Sequence, residues 1–135
     1  MIRKTKKTKT KNQIDRAECD KLWSEAVKLR AGYRSEYSGT RGTQIGGDKV
    51  LNAHHILTKP NFTLRYSLEN GICLTAGEHH FIAHGNYKQA KKFRDFIGEE
   101  RLQRLEDLLH VTVKADYKAK KEELYKFIKE LKEKK

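Results

Sequence analysis

The sequence predicts a small α+β domain in which two short strands are set among helices. Three observations carry that prediction. Two short segments, 49–56 (KVLNAHHI) and 70–75 (NGICLT), read as strands. Segments 14–30, 77–84, 87–96, 98–110 and 114–134 read as helices. With 135 residues and 36% hydrophobic content, the chain has room for one domain with a small core.

Each element has its own signal. In 14–30, Ala17, Leu22, Trp23, Ala26 and Leu29 form an apolar stripe. Asn12 or Asp15 is a candidate cap for its start, and Gly32 suits its end. Trp23 is expected in the core. Residues 35–48 (SEYSGTRGTQIGGD) have no period and read as turns or a loose hairpin. Residues 57–69 contain the only proline, Pro60, and read as a loop. The helix at 98–110 shows an apolar face of Leu102, Leu105, Leu108 and Leu109. In the strongly charged segment 114–134, the apolar residues are Tyr117, Leu124, Phe127, Ile128 and Leu131. That face could cover the domain, a second copy in a homodimer or a phage protein partner.

The charge lies at the ends. The net charge is +12, and residues 1–12 hold six basic residues and no acid. Residues 113–135 hold nine basic and five acidic residues, so the middle of the chain is nearly neutral. The tail 1–12 is expected to be disordered until it meets a partner. This division suggests a disordered basic tail at 1–12, a domain at 13–112 and a basic amphipathic helix at 113–135. A membrane span needs about 20 predominantly apolar residues, and no such run exists. No apolar segment follows the basic N-terminus, so it does not read as a secretory signal. Cys19 and Cys73 are too few for a disulfide scaffold. The expectation is a soluble cytoplasmic protein with a polyanionic partner and no membrane.

Five of the six histidines lie between residues 54 and 84. His54 and His55 are adjacent on a strand, so they point to opposite faces and serve different roles. His80 and His84 are four apart, on one side of a helix, which is a spacing that offers two imidazoles to one metal ion. Asn70 stands between the pairs. Fifteen residues separate His55 from Asn70, and ten separate Asn70 from His80.

The strand with AHHI (53–56), the ENGICL segment (69–74) and the helix with HHFIAH (79–84) together resemble the HNH, or ββα-metal, nuclease motif. The wording LRYSLENGICLTAGEHHFIAHG resembles small HNH proteins encoded by bacteriophages. The resemblance implies a ββα-metal core flanked by an N-terminal helix and C-terminal helices. It implies a metal-dependent endonuclease that hydrolyses DNA phosphodiester bonds, nicking one strand or cutting both, and leaves 5′-phosphate and 3′-hydroxyl ends. It makes His55 the general base and gives Asn70 the task of holding the loop or the base. It makes His54, His80 and His84 ligands of one divalent ion (Mg, Mn, Ni or Zn). His79 is the alternative to His80 if the helix starts one residue differently. The chemistry is coherent, because imidazole titrates near neutral pH and a divalent ion stabilises charge growing on phosphate oxygens.

The chain departs from zinc-bearing relatives, which carry two Cys-x-x-Cys pairs. Here Ser35 and Ser38 stand in the first place, and Thr75-Ala76-Gly77-Glu78 in the second. Hydroxyls are poor zinc ligands beside thiolates, so no structural zinc is expected. Tyr33, Tyr37, Leu74 and Phe81, with the flanking helices, are the candidates to replace it by packing. For DNA, Lys59, Arg65 and Arg41 are candidate phosphate contacts, with Lys4, Lys6 and Lys7 in the tail. Nothing reads as a base-specific module, so contacts are expected to be mostly to the backbone, with weak sequence preference. The alternative is a catalytically weak or inactive nucleic-acid-binding accessory of a phage recombination or packaging complex.

Overall fold

A computed structural model describes residues 10–43, 49–58 and 61–134. It is an α+β structure with a two-stranded antiparallel sheet and six α-helices among the described residues. Helix α1, Lys11–Arg30, starts earlier than the sequence suggests. Its cap is Thr10, whose hydroxyl accepts from the Gln13 N–H while the Gln13 side chain accepts from the Thr10 N–H. Gly32 then takes a left-handed conformation (φ 66°) just past the helix end, as predicted.

Strand β1 is Leu51–His55 and strand β2 is Gly71–Thr75. Their register pairs Leu51 with Thr75, Ala53 with Cys73, His54 with Ile72 and His55 with Gly71. The connection, read from sequence as loop, holds a short helix α2, Phe62–Tyr66. Asn61 caps it by accepting from the Leu64 N–H at 2.8 Å. Helix α3, Ala76–His84, follows β2 without a break, because Thr75 and Glu78 form a capping box. Asn86 and Gln89 do the same for α4, Tyr87–Ile97. Helix α5, Glu99–Asp107, ends in a 3₁₀ turn at Leu108–His110, and α6 is Tyr117–Glu133.

The sheet is covered on both faces. Leu51 and Cys73 face α1, where they are buried with Cys19, Trp23 and Val27. Ile72 and Leu74 face the other way and pack with Phe93 and Ile97 of α4. The buried side of α1 therefore runs through Cys19, Trp23, Ala26 and Val27, while Ala17 is exposed. Helix α6 lies along α1. Its Leu124 joins the Trp23 cluster, and Ile128 packs on Ala26 and Leu29. Lys121 reaches Asp15 and Glu18 across this contact, at 3.4 and 3.0 Å. The apolar face of α6 is thus spent on its own domain, so 113–135 is not a separate unit. No helix among the described residues is long and apolar enough to cross a membrane.

The four positions where zinc-bearing relatives carry cysteines are joined by hydrogen bonds. Ser35 is buried, and its hydroxyl donates to Glu78 Oε1 at 2.6 Å while accepting from the Tyr37 and Ser38 N–H groups. Glu78 Oε1 also accepts from the Thr75 N–H at 2.9 Å. Burial pushes the Glu78 carboxyl up, but the bonds from Ser35, Ser38 and Thr75 outweigh it and hold it below the usual carboxylate range. Of the residues expected to pack here, Leu74 is fully buried and Tyr37 meets Phe93 and Phe96. Tyr33 and Phe81 are largely exposed instead.

Candidate active site around the histidines

The end of β1 sends its two histidines to opposite faces of the sheet, as strand geometry requires. His54 meets α3 and α4: its ring lies 4.6 Å from that of His79 and 6.1 Å from that of Phe93, centroid to centroid. Burial, with help from His79 and His55, lowers the His54 pKa to about 4. The ring is therefore neutral near pH 7, the form in which imidazole binds metal.

His55 faces α1. Its ring stacks on Trp23 with centroids 3.9 Å apart and planes 7° from parallel. Its Nε2 lies 2.9 Å from the Arg65 carbonyl oxygen. A carbonyl can only accept, so Nε2 carries the proton and Nδ1 is the ring's acceptor nitrogen. That is the tautomer a base needs if Nδ1 is to take a proton.

Asn70 is fully buried behind this pair. Its Oδ1 accepts from the Leu57 N–H at 2.9 Å. Its Nδ2 donates to the carbonyls of Leu57 and Leu64, at 3.1 and 3.0 Å. One side chain thus ties the exit of β1 to α2, whose next carbonyl, that of Arg65, holds His55. Arg30 and Arg101 brace the same turn. Arg30 donates to the carbonyls of Leu68 and Gly71, and Arg101 to those of Glu69 and Gly71, all within 3.0 Å. The sequence gave no sign of either arginine's task.

Two expectations are corrected. His80 was favoured as the helical ligand beside His54, but His79 occupies that place. The cause is helix phase. Ile82 packs against the Ile72 cluster, and His79, three residues earlier, shares its side of α3. His80 and His84 do pair, with rings 5.1 Å apart, but both are exposed. The set His54, His80 and His84 is therefore not assembled. Among the described residues, no group of three or more His, Cys, Asp or Glu side chains could hold a metal ion. The His54–His79 pair still suits an ion, since it offers two imidazoles and leaves other coordination positions for water and phosphate oxygens.

The second correction concerns Arg65. Its guanidinium is engaged by Asp20 of α1 through two bonds, Nε–Oδ1 at 2.8 Å and Nη2–Oδ2 at 2.7 Å. The fork-shaped donor surface that would clamp a phosphate is committed to that carboxylate. Tyr66 adds a hydroxyl bond to Asp20 Oδ1 at 2.9 Å. Arg41 is exposed and pairs with Arg34 in an isolated bridge, so it keeps its place as a candidate phosphate contact. Lys59 and the tail lysines Lys4, Lys6 and Lys7 lie outside the described residues. His110 ends the 3₁₀ turn, away from the cluster in sequence.

No family model, no curated protein and no solved structure matches the chain. The functional reading therefore stands on the arrangement of side chains.

Proposed function

We propose that the chain is a metal-dependent endonuclease of the HNH type that hydrolyses DNA phosphodiester bonds. The observation that carries this reading is the division of labour at the end of β1. On one face, His54 and His79 form a pair of imidazoles with His54 kept neutral. On the other, His55 is held in a single tautomer by the Arg65 carbonyl. In-line displacement at phosphorus places the attacking and leaving oxygens on opposite sides. A base on one side of the strand end and a charge-holding pair on the other suit that geometry.

His54 and His79 would hold the divalent ion, which supplies positive charge beside the oxygens where negative charge grows. His55 Nδ1 takes a proton from water. The water oxygen bonds to phosphorus as the P–O3′ bond breaks, and the departing oxygen gains a proton from solvent. Asn70 keeps β1 and α2 in register so that the His55 ring does not drift. DNA contacts fall to exposed basic groups such as Arg41 and to the basic termini, and these grip the backbone with little sequence preference.

A second reading, a nucleic-acid-binding protein that does not cut, is favoured by the lack of a three-ligand group among the described residues. Plasmid cleavage in Mg²⁺, Mn²⁺ or EDTA separates the two. The nuclease reading expects cutting that EDTA abolishes and His79→Ala eliminates, with His80→Ala retaining it. DNA binding without cutting in every metal supports the second reading.

A further inference from the structure

We propose that Trp23 is a positioning residue for His55, so that α1, more than twenty residues upstream of the histidine motif, forms a wall of the site. The proposal rests on the reading of His55 as the base, and it has a test that does not depend on cleavage.

The geometry is more specific than core filling requires. A tryptophan in a core needs only to be covered, and it can meet its neighbours at any angle. Here the indole lies flat on the imidazole, 7° from parallel at 3.9 Å. The indole is itself immobilised. It is buried, and its Nε1–H donates to the Ser67 carbonyl at 2.9 Å. The flat contact fixes the plane of the His55 ring, and the Arg65 carbonyl fixes which edge points inward. Neither contact alone does both. A stacked ring can still flip about its long axis, and a ring held by one hydrogen bond can still tilt.

Two further features point the same way. The residue opposite His55 in the sheet register is Gly71. A Cβ added there would lie 2.8 Å from Trp23 Cζ2 and 2.5 Å from Val27 Cγ2, closer than atoms tolerate. The strand thus leaves out a side chain where the indole must pass to reach the imidazole. The second feature is that α1 governs both restraints. Asp20, three residues before Trp23 on the same helix, grips the Arg65 guanidinium and the Tyr66 hydroxyl. The residue whose carbonyl orients His55 is therefore fastened to the helix whose indole covers it.

The test compares wild type, Trp23→Phe and Trp23→Leu in two arms. Nitrogen-detected NMR of the metal-free protein reads the His55 tautomer and the ring-proton shifts. The proposal expects the Nε2–H tautomer and upfield-shifted His55 ring protons in wild type, with the upfield shift lost in Trp23→Leu. Kinetics on plasmid or duplex DNA then expects kcat to fall by about 10- to 100-fold in Trp23→Leu, the scale of a misplaced catalytic group, with KM held within about threefold. Trp23→Phe, which keeps a flat ring, recovers most of that loss and serves as the folded control should Trp23→Leu unfold. A folded Trp23→Leu that retains the wild-type kcat overturns the proposal. So does a wild-type His55 in the Nδ1–H tautomer, or one without the upfield shift. If wild type cuts no DNA, the nuclease reading is what fails, and the NMR arm still decides whether Trp23 holds the ring.

Discussion

Replacing Asn70 by alanine is expected to loosen the site from behind while leaving every histidine in place. The side chain makes three bonds, one to the Leu57 N–H and two to the carbonyls of Leu57 and Leu64. A buried polar group left without a partner costs about 1–3 kcal/mol. The Leu64 carbonyl is in the buried contact and takes that full range. Leu57 is only half-buried, so water can reach its two groups, and about 0.5–1 kcal/mol each is the better figure. The sum is roughly 2–5 kcal/mol, a large share of the ~5–15 kcal/mol that holds an ordinary domain together. Asn70→Asp should be as damaging despite its matching size. It turns the Nδ2 donor into an oxygen that faces two carbonyl oxygens, and acceptors cannot satisfy one another. Urea unfolding followed by circular dichroism measures both variants. Cleavage by folded Asn70→Ala, assayed at low temperature, should fall in kcat more than in DNA affinity, because the Arg65 carbonyl that orients His55 loses its anchor. A loss below about 1 kcal/mol for Asn70→Ala would refute the reasoning, since three bonds to backbone cannot vanish from a buried turn at so small a cost.

Three further outcomes follow from the same structure. In EDTA, His54 should make stability rise with pH between about 4 and 6.5, because the unfolded ring binds a proton that the folded ring refuses. At ~1.4 kcal/mol per pH unit the full gap is ~3 kcal/mol, and solvent screening of a partly exposed ring reduces it to ~1–2 kcal/mol. His54→Gln should flatten that slope in a series of urea titrations, and an unchanged slope contradicts the assignment. Arg65→Ala should lower stability by about 1–2 kcal/mol through its charged hydrogen bonds to Asp20 and leave the salt dependence of DNA binding unchanged. A salt slope reduced by about one would instead mark Arg65 as a phosphate contact. Ser35→Ala should cost about 1–2 kcal/mol, since it removes the donor to Glu78 and the acceptor for two N–H groups of the 35–40 turn. Thermal unfolding within about 1 °C of wild type would show that the cluster carries no weight.

The types of the main elements were legible because each rests on local chemistry. Periodic apolar positions marked the helices, and the two strands stood out as short segments between turn residues. The short helix α2 was not legible, because five residues are too few to show a period and its signal is a single cap, Asn61. Ala17 was misplaced on α1 because a small apolar residue fits either side of a stripe. The site was legible in its residues more than in its contacts. Adjacent positions on a helix differ by about 100°, so the choice between His79 and His80 turned on which side of α3 the sheet would cover. Ile82 carries that information, since it is the apolar residue that α3 buries beside Ile72 and Leu74. The partner of Arg65 lies forty-five residues away on α1, and no local pattern announces such a pair. Trp23 read as core, and it is core. Only the fold could show that one face of it is given to His55.

The central claim is that His55 is the base of a metal-dependent DNA cleavage. Single-turnover cleavage of a supercoiled plasmid by His55→Ala, beside wild type at equal protein and metal concentration, tests it most directly. Circular dichroism and a DNA-binding isotherm on the same samples serve as controls. The account predicts that wild type converts supercoiled to nicked or linear DNA, while His55→Ala binds DNA, keeps its fold and loses cleavage by a factor of about 100 or more. His55→Ala cutting at the wild-type rate would contradict it.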